Sequence, residues 1–385
     1  MEQQQPEKHW YDRNYKQLLI IPAVLLILSI AYLAIFNQQQ GDVIYKDVSL
    51  TGGTTITVFD SRAEIEVIKQ GLKSSFPDII VRKISDIRTG KQHGFFVETT
   101  ATSEEIKKAL ELQLGYSLTN DNSSIEFTGS GLSKGFYQQL RNALIAAFLL
   151  MSWVIFAVFG TSRKIKAWTL ILTITGAKLA LSGVLLVSIA AGIIIVGSFC
   201  WALFNLEQKR RDLLITFVLT IFAFIVAYGY SNLLFLIVIA AALLYFYVQH
   251  SIPSVAVITS AFADIIMTIV LIDLLHIQLS GAGIVALLML IGYSVDTDVL
   301  LTTRLLRQHE GSLNMRLWEA FKTGMTMTLT AIAAVSVSLI IIYQFSDTLR
   351  QMFTILLIGL FFDIFNTWVT NASLLKWYME AKHKT

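Results

Sequence analysis

The sequence predicts an α-helical, polytopic membrane protein carrying one small α+β domain outside the bilayer. Three observations predict it. Only 15% of the 385 residues are charged and the mean hydropathy is +0.62, whereas a soluble domain carries about a quarter charged residues. Apolar runs of the length that crosses a bilayer, about 20 residues, recur along the chain. Between the first two of them, residues 41–135 form a polar stretch in which strand-like and helix-like patterns alternate.

The first run, 18–36, is too long for the apolar core of a cleavable signal, and no small-residue cleavage site follows it, so it reads as a transmembrane helix. Further runs follow at 143–160, 254–275, 282–301, 317–343 and 353–375. The block 167–248 is apolar almost throughout, broken by "NLEQKRRD" at 205–212. It divides into two spans before that break and two after it, at 213–229 and 232–248, which brings the expected total to ten. The segments 1–16, 161–166, 205–212, 302–316 and 376–385 each hold three lysines or arginines. Ten spans from a cytoplasmic N-terminus place all of these basic segments inside, as the positive-inside rule requires; three spans in the block would invert everything after it. Both termini are therefore expected in the cytoplasm and residues 41–135 on the outer face of the cell membrane. The domain boundaries that follow are 1–40 for the N-terminal segment and first span, 41–135 for the outer domain, 136–160 for the second span, 161–252 for the inserted spans and 253–385 for a four-helix core.

In the outer domain the pattern runs strand 54–60, helix 61–75, strands 79–85 and 94–100, helix 103–114, strand 124–129. Ser61 with Glu64 and Thr102 with Glu105 have the spacing of capping boxes. Ile65, Ile68 and Leu72 give the first helix one apolar face, and Ile106, Ala109 and Leu110 do so for the second. This β-α-β-β-α-β order is the ferredoxin-like arrangement, and any small α+β module outside the membrane would read alike.

Chemistry concentrates where charge is costly. A carboxylate left uncompensated at the centre of a bilayer costs about 2.5–3.5 kcal/mol on insertion scales. Asp264 in "SAFADI" lies ~15 Å into its span at 1.5 Å per residue, near the midplane, and Asp363 in "FFDIFN" is similarly placed. In "IGYSVDTDVLLTTR" (291–304), Asp296 and Asp298 fall in the inner third, while Arg304 reaches the cytoplasmic interface. Two readings stand for this set. Asp296 or Asp298 can pair with Arg304 or Arg307 and merely fix a helix end, with Lys178 a possible partner for a deeper acid. Alternatively the acids exchange protons or ions, the usual role of ionisable groups at this depth. The Thr-, Ser-, Ala- and Gly-dense "TGMTMTLTAIAAVSVS" (323–338) fits close helix packing or the lining of a polar path. Asn366 and Asn371 belong to the same polar set.

Other chemistries find little support. The lone Cys200 forms no intrachain disulfide, the six histidines are scattered, and no phosphate-binding loop occurs. We expect no enzyme activity, no cofactor, no metal and no nucleic-acid partner.

A single span, "LTGGT" (50–54), an outer α+β domain, "SVAVITSAFADI" (254–265) and "IGYSVDTDVLLTTR" together resemble the SecF side of the SecD/SecF protein-export family, in its archaeal form. The resemblance covers about 1–160 and 252–385. It implies a six-span core, related to the half-unit of RND-type transporters. It also implies a heterodimer with SecD, work beside the Sec translocon channel on unfolded exported polypeptides, and coupling to the proton-motive force. The family's acid on the "SAFADI" helix maps onto Asp264, its polar helix onto Asp296, Asp298 and Arg304, and its double glycine onto Gly52 and Gly53. Residues 161–252 depart from the pattern as about four extra spans, for which contact with membrane lipids is the plain expectation. An ion-coupled exporter of lipids or small molecules is the competing reading.

Overall fold

The computed structural model describes residues 10–182, apart from 86–88 and 90, and residues 232–382, apart from 309 and 343–346. Helix α1 (Trp10–Leu18) leads into α2 (Ile20–Gln40), which stops at Gly41 with φ 76°. A single turn, α3 (Val48–Thr51), is capped by the Asp47 carboxylate, which accepts from the Ser49 N–H at 3.0 Å. Asp47 is largely buried, and that burial raises its carboxyl above the usual range despite the hydrogen bonds from Ser49 and Leu50.

The outer segment follows as β1 (Gly53–Val58), α4 (Ile65–Lys73), β2 (Ile80–Ser85), β3 (Gln92–Thr99), α5 (Ser103–Leu114) and β4 (Ser123–Thr128). The strands pair antiparallel in the order β2-β3-β1-β4. Alternation along each strand sends Ile56, Val58, Val81, Phe95 and Val97 to one face. Ile68 and Leu72 of α4 and Ile106 and Leu110 of α5 close over them as one core. The Thr102–Glu105 capping box forms. Ser61–Glu64 does not: α4 starts at Ile65, and the turn before it is held by Asp60, which accepts from the Arg62 N–H at 2.8 Å. Between α4 and β3, Asp78 accepts from the Thr100 N–H (2.6 Å), the Thr100 hydroxyl (2.7 Å) and the Thr99 hydroxyl (3.1 Å). Partial burial pushes this carboxyl up, but those hydrogen bonds outweigh it and hold it below the usual carboxylate range. A depressed carboxyl stabilises the fold above its unfolded value and loses that contribution as pH falls through its folded value. The protection factors of β3 amides, taken relative to intrinsic exchange at each pH, should therefore fall on acidification below about pH 4, and Asp78→Asn should flatten that acid limb.

Helix α6 (Ser130–Phe159) begins directly after β4, so the second span's helix extends some six residues outward of the boundary expected at 136. Helices α7 (Arg163–Ser182) and α8 (Asn232–His250) form the two ends of the insertion expected at 161–252; the spans expected between them lie outside the described residues. The core continues as α9 (Ile252–Leu274), α10 (Gly281–Arg307), α11 (Leu313–Ile342) and α12 (Asp347–Phe365). A π-helical turn, α13 (Asn366–Asn371), then leads into α14 (Ala372–Lys382). Six of the described helical stretches are long and apolar enough to cross a membrane. Within the insertion, α8 carries a further apolar stretch at Ile239–His250.

Two tethers set this bundle. At the end next to the sheet, Asp47 N–H donates to the Leu279 carbonyl and Leu279 N–H to the Tyr45 carbonyl, while Gln351 bonds Ser280 and the Gln278 carbonyl. At the opposite end, the buried Lys376 ammonium donates to Asn314 at 3.0 Å and lies 5.1 and 5.2 Å from the ring centres of Tyr11 and Tyr15. Tyr15 donates to Glu380 at 2.7 Å, so α1 is clasped to the C-terminal helix. The outer half of the core is a dry cluster in which Ile269, Ile272, Leu287, Leu290, Ile355 and Leu356 interlock.

Candidate functional site

The site is assembled from residues four apart. On α9, Ser251 caps the first turn by accepting from the Ser254 N–H, and the helix then runs unbroken, so Ser260, Asp264 and Thr268 fall on one buried face. On α10, Ser294 and Asp298 share a face for the same reason. Asp363 comes from α12, and Asn366, Thr367 and Asn371 from the π turn that follows it. π turns often occur at functional sites, and this one contributes to both halves of the network. All of these side chains are at most 1% exposed.

Asp264 accepts from the Ser294 hydroxyl at 2.5 Å and the Asn366 amide at 2.7 Å. Asp298 accepts at one oxygen from the Asn371 amide (2.8 Å) and the Thr367 hydroxyl (2.9 Å). The same Thr367 hydroxyl lies 3.2 Å from Asp363, whose other oxygen faces Thr328 of α11 at 3.4 Å. Three carboxyls on three helices thus form one network joined by hydroxyls and amides. None of the three makes an ion pair with a described lysine or arginine. Thr367 has one proton and two carboxyl oxygens in reach, so it can donate to only one at a time.

The sequence-selected residues divide. Asp264, Asp298 and Asp363 come together, with Asn366 and Asn371 as their amide partners. Asp296 does not join them: two residues along a helix is a rotation of about 200°, and its side chain is exposed on the outer surface of α10 beside the exposed Tyr293. Arg304 does not pair with Asp298; it approaches Glu319 of α11 at 4.0 Å. Arg307 and Lys178 are exposed. Gly52 and Gly53 sit at φ 87° and 146°, where a Cβ would press on the Ser130 backbone and on the Thr99 carbonyl respectively.

Sequence reasoning missed Ser260, Ser294 and Thr367 as part of the network. Their signal was a four-residue spacing from an aspartate (260–264, 294–298, 363–367). In α11, only a stripe at Arg316, Ala320, Gly324 and Thr328 is buried, so most of its Thr/Ser-rich surface faces outward in this chain. At Gly324 a Cβ would strike Trp368, which is why that helix approaches the π turn so closely. Among the described residues no group of three His, Cys, Asp or Glu side chains is clustered as a metal site.

Residues 215–381 match the family described as protein-export membrane protein SecD/SecF, C-terminal. The protein-export membrane protein SecF of Methanocaldococcus jannaschii is 46% identical over 154 residues, covering 39% of this chain and 55% of that protein. The protein of the same description from Methanolacinia petrolearia is 48% identical over 153 residues, covering 40% and 54%. The chain thus matches about half the length of these curated relatives. In fold it is similar to the crystal structure of SecDF, a translocon-associated membrane protein, from Thermus thermophilus. The TM-score is 0.50 at 13% identity, covering 97% of this chain and 39% of that one. The chain is a multi-pass membrane protein, and the likeness to SecDF is one of fold.

Proposed function

We propose that this chain, whose residues 215–381 match the SecD/SecF C-terminal family, is a SecF-like, non-enzymatic subunit that assists Sec-dependent protein export together with SecD. Its outer segment, read as a ferredoxin-like domain, meets unfolded polypeptide emerging from the translocon channel, and its termini lie in the cytoplasm. The buried carboxyls couple this work to an ion gradient. The observation that carries the coupling is the three-carboxyl network without a described basic partner. A carboxyl at bilayer depth persists only where a polar interior or a function compensates its cost of about 2.5–3.5 kcal/mol, and three converge here on movable hydroxyl and amide donors. Thr367, poised between Asp298 and Asp363, allows a proton to be handed on by rotation of a hydroxyl rather than by movement of a helix.

The partner reading rests on a surface. Asp296 and Tyr293 on α10 and the polar face of α11 are exposed in the isolated chain, at a depth where lipid would leave a carboxylate unsolvated. A sister membrane subunit covers them in this reading. Native co-purification provides the test. Recovery of a SecD-type chain and the translocon channel supports export, and Asp296→Leu should release that chain while leaving the fold intact. Recovery of a self-trimer alone would turn the reading into that of an ion-coupled exporter.

A further inference from the structure

The pattern Asn-x-Ser/Thr, with any residue but proline in the middle, occurs twice in the sequence, as Asn122-Ser123-Ser124 and Asn371-Ala372-Ser373. It is the acceptor pattern for N-linked glycans, which sit on surface turns of segments outside the cytoplasm. The fold treats the two stretches in opposite ways. Asn371 and Ser373 are 0% exposed within the membrane bundle, where the Asn371 amide donates to Asp298 and the Ser373 hydroxyl lies 3.0 Å from that of Tyr11. No transferase reaches them there. Asn122 lies instead in the turn before β4, in the outer segment.

Three observations fit this turn to modification. The first is its place. β4 runs from Ser123 to Thr128 and leads straight into α6, so Asn122 stands at the far end of the sheet from that membrane helix. Six strand residues at about 3.3 Å each put it ~20 Å along the sheet from the start of α6. The second is the hydroxyl at the third position. Ser124 is exposed and its side chain makes no hydrogen bond among the described residues, whereas Ser123 between the two is buried and donates its hydroxyl to the Thr119 carbonyl at 2.8 Å. The third is the amide itself. Asn122 is partly exposed. Its Oδ1 accepts from the Thr119 N–H at 2.8 Å, and its Nδ2 donates to the Ser117 carbonyl at 3.0 Å. Nδ2 carries two hydrogens, so one can be given up while the other still holds the turn. The main chain is fixed separately, because the Phe59 N–H donates to the Asn122 carbonyl at 2.8 Å.

We propose that Asn122 is an N-glycosylation site, which takes an oligosaccharide from a lipid-linked phosphate donor on the outer side of the membrane. In the transfer, Nδ2 forms a bond to the anomeric carbon of the first sugar. The bond from that carbon to the donor's phosphate oxygen breaks, Nδ2 loses one proton and the lipid phosphate leaves; nothing is oxidised or reduced. The Ser124 hydroxyl is the group that the transferase reads. The inference rests on the reading that residues 41–135 lie outside the cytoplasm.

The full-length protein, purified from the membranes of its own cells and cut with trypsin, releases residues 109–134 as one peptide with a single Asn-x-Ser. Its mass should exceed that of the bare peptide by an oligosaccharide, with fragment ions placing the addition on Asn122. Asn122→Gln and Ser124→Ala should each abolish the shift, and Ser124→Thr should keep it. Ser124→Ala leaves the hydrogen bonds of the Asn122 side chain in place, so loss of the shift in that variant is not a folding effect. A bare peptide from wild type, or a shift that survives Ser124→Ala, would overturn the site. A second measurement separates this from the topology on which it rests. Gln70→Cys, exposed on α4, is treated in a Cys200→Ser background with a membrane-impermeant maleimide on intact cells. Labelling together with a bare 109–134 peptide overturns the modification and keeps the outer placement. Labelling only after the cells are opened overturns the placement, and the site with it.

Discussion

Asp264→Asn is expected to reduce gradient-dependent export at least tenfold while the protein still inserts, folds and associates with its partner. Asparagine keeps the shape of the side chain. Its amide oxygen can still accept from Ser294 at the position where the carboxylate does so at 2.5 Å. What it loses is the ability to take up or release a proton, together with the second acceptor facing Asn366. The stability cost is then that of about one mismatched buried hydrogen bond, ~1 kcal/mol, too little to unfold a bundle in which α9 packs against α2, α6, α10 and α12. Export into inverted membrane vesicles, with and without a protonophore, reads the activity, and the melting temperature reads the fold. Wild-type export by Asp264→Asn that still responds to the protonophore would remove Asp264 from any coupling path. Arg307→Gln provides the internal contrast: its side chain is exposed and lies outside the network, and protonophore-sensitive export should survive in that variant.

The second large effect concerns the joint between the membrane and the outer sheet. Gly53→Val should destabilise the outer segment by more than about 3 kcal/mol, enough to expose it to protease. Two costs add. The backbone at φ 146° lies in a region that L-residues adopt only with strain, of order 1–3 kcal/mol. A Cβ there would also press on the carbonyl of Thr99, which belongs to the partner strand β3. Backbone cannot swing aside as a flexible side chain can, so the β1–β3 pairing at Thr54 and Thr99 must open. Limited proteolysis of vesicle-embedded protein from the outer side would show cleavage within 53–128, while the bundle stays intact. A fully protected domain in Gly53→Val would show that the strand accommodates the side chain by sliding, and that the tight joint is dispensable.

Much of this architecture was legible in the residues because the governing physics is local or additive. Twenty apolar residues cross a bilayer whatever surrounds them, and the basic segments bias the topology without reference to packing. The Thr102–Glu105 capping box is a spacing of three within one turn, and it forms as expected. Ser61–Glu64 has the same spacing and forms none: α4 starts only at Ile65, after a turn in which Asp60 accepts from the Arg62 amide. The π turn at 366–371 left no mark in the hydropathy, since "FFDIFNTWVTN" reads as any polar-flecked span.

The division is sharpest at Asp296 and Asp298. The residues themselves dictate that both stand at bilayer depth, and that two positions apart on a helix they point nearly opposite ways. They do not say which one turns inward. That was decided by packing: Leu290, Ile291 and Ser294 face α9 and α12, which carries Asp298 to Thr367 and Asn371 and leaves Asp296 outside. Depth along a helix is set by counting residues, whereas azimuth is set by which neighbours bury against it. Those neighbours come from segments up to a hundred residues away, as Asn366 does for Asp264. The membrane-protein class, the outer α+β pattern and the presence of deep carboxyls were therefore set by the chain alone. The identity of the network and its hydroxyl and amide partners were decided only when the helices packed.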